Sequence, residues 1–144
     1  MKKTAILVIL ALIIFPCFST VLASESVYDP GTEWIKTNET AKSLQWHYAP
    51  EFTCINSDGK LETWIKARYA GENTQYSKSG EYSIYHIFIT LDLDKFKNTE
   101  WSDFNPDETL VQTVTIQNAK WKAIPSGTSF EQCLRMTLAY AINK

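Results

Sequence analysis

The residues of this 144-residue chain best suited to chemistry are two histidines and three cysteines. A zinc site needs such ligands at short spacings, as in C-x2-C or H-E-x-x-H. His47, His86, Cys54 and Cys133 are each isolated in the sequence, so no metal is expected. A cysteine nucleophile needs a low thiol pKa and a histidine beside it. His86 lies in an apolar stretch and could meet a cysteine only through the fold. No G-x-S-x-G elbow is present, and Gly31, Gly59, Gly71, Gly80 and Gly127 are too scattered for a phosphate loop. The neighbouring acids Asp92/Asp94 and Asp107/Glu108 fall at a strand end and a turn, where solvated charge is the simpler reading. No catalytic residue and no cofactor is expected, and the chain reads as a non-enzyme.

The remaining chemical signal is recognition. Trp64, Lys66 and Arg68 alternate along one strand, on its less apolar face. An exposed tryptophan beside cations would form a protein-binding patch. The alternative is that a second layer, such as a homodimer partner, covers them. The chain carries a net charge of −2 and has no basic run, so a nucleic-acid partner is not expected.

These residues need elements to hold them. Residues 46–55 alternate: Trp46, Tyr48, Phe52 and Cys54 point one way, His47, Glu51 and Thr53 the other, with Pro50 interrupting the pairing. Asp58-Gly59 supplies a hairpin turn. Residues 61–70 form the next strand, with Leu61, Thr63, Ile65, Ala67 and Tyr69 on the core face. Residues 71–80 are a polar loop, expected to be the most mobile part of the domain. Strands are expected at 82–93, 96–105 and 109–117, and a short one at 33–37. The period then changes. Thr128 and Glu131 make a capping box, and Phe130, Cys133, Leu134, Thr137, Leu138 and Ala141 form one helical stripe. The expected fold is α+β: an antiparallel sheet of about five to six strands with a C-terminal helix on one face.

Residues 1–23 read as an address. Lys2-Lys3 precede an apolar run over residues 5–15, and Val21-Leu22-Ala23 offers a cleavage site, the layout of a secretory signal peptide. A retained anchor is the alternative, although eleven apolar residues fall short of the roughly 20 that a spanning helix needs. Phe15-Pro16 before Cys17 is a poor lipobox. Cleavage after Ala23 would leave a net charge of −4, an arm over residues 24–32 and one domain over residues 33–144, exported to the periplasm, cell surface or medium and without a membrane span. In an oxidising compartment Cys54 and Cys133 are expected to pair, closing a 79-residue loop and adding roughly 4 kcal/mol. Two separate free thiols are the alternative.

Several stretches together resemble the surface-adhesin protein E family of small exported bacterial proteins. They are Trp46-His47-Tyr48-Ala49-Pro50, then Asp58-Gly59-Lys60 leading to Trp64-Ile65-Lys66, the long strand from Tyr85 to Leu93, and Trp121-Lys122-Ala123-Ile124-Pro125-Ser126-Gly127-Thr128-Ser129 before the last helix. The resemblance covers residues 34–142. It implies an antiparallel sheet with a C-terminal helix pinned to it by a disulfide, and binding of host matrix and serum proteins without catalysis. The family's first cysteine falls near Asp94-Lys95, later than Cys54, and its ligand-binding segments have no residue-by-residue match here. Another bacterial envelope protein as partner is the alternative to an adhesin.

Overall fold

The structure, a computed structural model, describes residues 32–37 and 43–144. The expected signal peptide at 1–23, Cys17 and all but the last residue of the expected arm lie outside the described residues. Strands β1 (Ile35–Lys36), β2 (Leu44–Tyr48), β3 (Cys54–Ile55), β4 (Leu61–Tyr69), β5 (Tyr82–Ile89), β6 (Lys95–Phe104), β7 (Leu110–Thr115) and β8 (Lys122–Ala123) form one antiparallel sheet. The main order is β1-β2-β4-β5-β6-β7, with β3 also on β4 and β8 also on β6. Helix α1 (Ser129–Asn143) closes the chain and packs on one face, giving the expected α+β arrangement.

Each turn follows from local chemistry. Asn56 N donates to Lys60 O at 2.9 Å, and Gly59 takes the positive φ of 65° that the hairpin requires. The strand expected over 82–93 ends at Ile89 instead. Thr90 N donates to Lys95 O at 3.0 Å, closing a turn in which Leu93 adopts φ 59°. No glycine or asparagine signals this turn. The Leu91 and Leu93 alternation mimics a strand, and packing of Leu93 on the core offsets its unfavourable backbone. The loop at 71–80 carries its own bonds: Thr74 N donates to Ser77 O at 2.8 Å and Ser79 N donates to Asn73 Oδ1 at 2.8 Å.

The core lies between sheet and helix. Tyr48 of β2, Leu61 and Ile65 of β4, and Ile87 and Ile89 of β5 meet Cys133, Leu134 and Leu138 of α1. Cross-strand register places Leu61 opposite Ile89 and Tyr48 opposite Ile65, so the apolar side chains arrive on one face together. Each such aliphatic burial contributes about 1.5–3 kcal/mol. The helix starts as its sequence predicts. Thr128 Oγ1 accepts from Glu131 N at 3.2 Å, and Glu131 returns a carboxylate oxygen to Gly127 N at 2.7 Å. Arg135 and that Gly127 amide together hold the Glu131 carboxyl below the usual carboxylate range.

The Cys54–Cys133 disulfide expected from the sequence is not formed: both thiols are free, Cys54 exposed and Cys133 fully buried. The cause is a 3₁₀ turn over Pro50–Phe52, between β2 and β3. It shifts the alternation by one residue, so Thr53 turns inward, fully buried, and Cys54 turns outward. The Thr53 hydroxyl donates to Ala49 O at 2.7 Å and lies 2.7 Å from the Thr63 hydroxyl, so the buried oxygens are satisfied.

Candidate functional site

The face of β4 away from the helix carries Glu62, Trp64, Lys66 and Arg68, as expected from their alternation. The expected exposed tryptophan is not there. Trp64 is only 8% exposed, and its indole stacks on the His86 imidazole with centroids 4.6 Å apart and planes 11° from parallel. Register explains it, because Trp64 and His86 are direct cross-strand partners on β4 and β5. The recognition patch therefore loses its central residue to packing within the sheet.

Lys66 and Arg68 remain on this face. The Lys66 ammonium lies 4.8 Å from the Trp34 ring centroid and 5.5 Å from that of Tyr82. Burial, followed by the neighbouring Arg68 charge, lowers the Lys66 pKa. Arg68 is exposed. His47 sits opposite Lys66 on β2, and burial first, then the charge of Lys66, pushes its pKa down to about 4. Its Nδ1 is buried and has no hydrogen-bond partner. Trp34, Lys36, His47 and Tyr82 belong to this constellation only through strand register, and no local sequence signal marks them.

His86 anchors a second polar group. Its Nε2 donates to Glu62 Oε1 at 3.0 Å, and its Nδ1 lies 3.1 Å from Thr99 Oγ1. Thr99 reaches this position through a bulge: the ladder pairs His86 with Glu100 and Ile87 with Asn98, leaving Thr99 extra. An acid–imidazole–hydroxyl chain has the order of a proton relay. The single Thr99 proton, however, has two acceptors in reach, the imidazole Nδ1 and the His86 carbonyl at 3.3 Å. The chain ties the bulge together as much as it primes a nucleophile. Cys133 does not complete a cysteine site. Burial pushes Cys133 up to about 11, against the opposing hydroxyls of Thr37 and Thr137, so it stays protonated at neutral pH. Among the described residues no three His, Cys, Asp or Glu side chains gather as a metal site, and no helix is long and apolar enough to cross a membrane.

A broad concavity lies on the other face, beside the helix. Because α1 covers only part of this face, a groove of about 480 Å³ runs over Trp46, Tyr69, Tyr85, Ser83, Asp103 and Val111. A second recess of about 390 Å³ shares Trp46 and Tyr85 with it and continues to Phe96, Asn98 and Phe130. The Trp46 indole N–H donates to Ser129 Oγ at 3.1 Å, and its ring lies 5.0 Å from that of Phe130, so the helix start forms one wall. Ser83 Oγ donates to Asp103 Oδ1 at 2.5 Å, and Gln112 Nε2 donates to Asp103 Oδ2 at 2.6 Å, giving the aromatic floor one fixed carboxylate. The Asn98 Oδ1 atom is buried without a partner. Aromatic surface with a few placed polar groups is the usual make-up of a site that binds another molecule. Comparisons with protein-family models, with curated proteins and with solved structures found no match.

Proposed function

We propose that this chain is an exported, non-enzymatic protein-binding domain of the surface-adhesin protein E type, acting at the cell surface on host matrix proteins. One observation carries the binding reading: the sheet is wider than the helix that covers it, which leaves the aromatic groove over Trp46, Tyr85 and Val111 beside α1. Val111 is 59% exposed and lines the groove, so a ligand can reach it. Export is supported by the residue pattern at 1–23.

Two measurements test the reading. Protease digestion of intact cells, set against lysed cells, reports location. Digestion on intact cells is the expected result. Protection until lysis would remove the adhesin reading and direct the search to a partner within the envelope. Surface plasmon resonance of the purified chain against host matrix proteins reports binding. Val111→Glu is expected to weaken such binding about tenfold, because a charge would be desolvated against an aromatic floor, while the thermal transition stays unchanged. Equal binding by the variant would remove the groove from the reading.

A further inference from the structure

The cations on the face opposite the helix are brought together by register. Lys36 on β1 is the direct partner of His47 on β2, and His47 is the direct partner of Lys66 on β4. Direct antiparallel partners share a face. Arg68 lies two residues beyond Lys66, hence on the same face, with Gln45 opposite it. The result is three cations, Lys36, Lys66 and Arg68, gathered around the neutral imidazole of His47 on three neighbouring strands of a chain whose net charge is −2.

No carboxylate of the described residues neutralises this group. The salt bridges Lys95–Asp94 and Arg135–Glu131 and the His86–Glu62 contact involve none of the four. The one acid that acts on Lys66 is Glu108, and only at Coulombic range. Lys66 is already positioned by the Trp34 and Tyr82 rings, so little side-chain freedom remains to be lost on binding. Beside the row, Arg68 opens into a polar recess of about 360 Å³ with Gln45, Ser79 and Gly80. Gly80 keeps it open: a Cβ there would approach Pro106 Cβ to 3.1 Å and Arg68 Nη2 to 3.8 Å.

We propose that Lys36, Lys66 and Arg68 form a binding site for an acidic, extended segment of a protein partner. The proposal rests on the protein-binding reading above but uses the opposite face of the sheet. Spacing favours a peptide over a single small anion. Neighbouring strands are about 4.8 Å apart, and side chains two residues apart on one face are about 7 Å apart. The row thus exceeds the span of one carboxylate and matches successive side chains of an extended chain. The Trp34 and Tyr82 rings give such a chain apolar contact between its charges.

The test is fluorescence anisotropy of a labelled hexaglutamate peptide with the purified full chain, at low and at physiological salt. Hexaglutamate is expected to bind, more weakly as salt rises, and hexaglutamine is not. Arg68→Gln and Lys66→Met are each expected to weaken binding at least about fivefold, since each removes a charge that no salt bridge to a carboxylate of the described residues holds. Lys66→Met keeps the stem packed under Trp34, and an unchanged thermal transition confirms that both variants fold. Hexaglutamate bound equally by the wild type and both variants, or not bound at all, overturns the proposal. Binding to phosphatidylglycerol vesicles without binding to hexaglutamate overturns it too, and assigns the cations to a membrane surface. Val111→Glu is expected to bind hexaglutamate as the wild type does. Failure of the groove and failure of this site are therefore separately visible.

Discussion

The Trp64 indole lies flat against the His86 imidazole, 4.6 Å between centroids, and this stack fills the middle of the sheet's outer face. His86 is held in turn by Glu62 at one nitrogen and faces Thr99 at the other. A tryptophan that could have met a ligand instead fixes the ring that closes a β-bulge. Stacking of this kind adds about 0.5–1.5 kcal/mol to the area that it buries.

Trp64→Ala should therefore act on stability. With 8% of its surface exposed, truncation leaves a cavity against His86 and is expected to cost about 3–5 kcal/mol. Urea unfolding measures this directly. A variant as stable as the wild type would mean that the indole is not packed in solution.

The two thiols should separate by reactivity. Cys54 is exposed, whereas Cys133 is fully buried with its pKa raised to about 11 by burial. Iodoacetamide at neutral pH is expected to label Cys54 in the folded protein and Cys133 only in denaturant, which peptide mapping by mass spectrometry resolves. Protection of both thiols until reduction would show that they pair after all.

The pH dependence has a defined sign. His47 titrates at about 4 in the folded chain against an ordinary 6.5, so the unfolded chain binds the proton more readily. Its contribution to stability is complete above pH 6.5 and is lost as pH falls toward 4. The full shift corresponds to roughly 3 kcal/mol, and solvent screening at this half-buried ring reduces it to about 1–2 kcal/mol. Denaturation midpoints measured across this range should fall with acidity, and His47→Gln should flatten the slope.

Thr53→Val removes a hydroxyl that satisfies Ala49 O and meets the Thr63 hydroxyl in the buried interior. The valine fits the space but leaves the Ala49 carbonyl without this donor, at an expected cost of about 1–3 kcal/mol in urea unfolding. The double variant Thr53→Val/Thr63→Val should lose less than the two single changes together, because the hydroxyls act as a pair.

The helix cap offers a smaller effect. Thr128→Ala deletes the acceptor for Glu131 N and should lower stability by about 1 kcal/mol, read from the thermal midpoint.

The sequence by itself determined the local elements. Period-two alternation placed Leu61, Thr63 and Ile65 on the core face of β4, and Asp58-Gly59 marked the hairpin before it. The change of period after Pro125 marked α1, its cap at Thr128 and its buried stripe at Cys133, Leu134, Thr137 and Leu138. All of these depend on residues within a few positions of each other, where backbone geometry alone sets the outcome. Tertiary structure decided the rest. The 3₁₀ turn at Pro50–Phe52 exchanged the sides of Thr53 and Cys54, so the two cysteines stay apart. Register between β4 and β5 put His86 under Trp64 and buried it. Register across β1, β2 and β4 brought Lys36 and His47 beside Lys66 and Arg68, a link that sequence separation does not mark. A one-residue slip in a strand moves every side chain to the other face, so these sites exist only once the whole sheet has chosen its pairing.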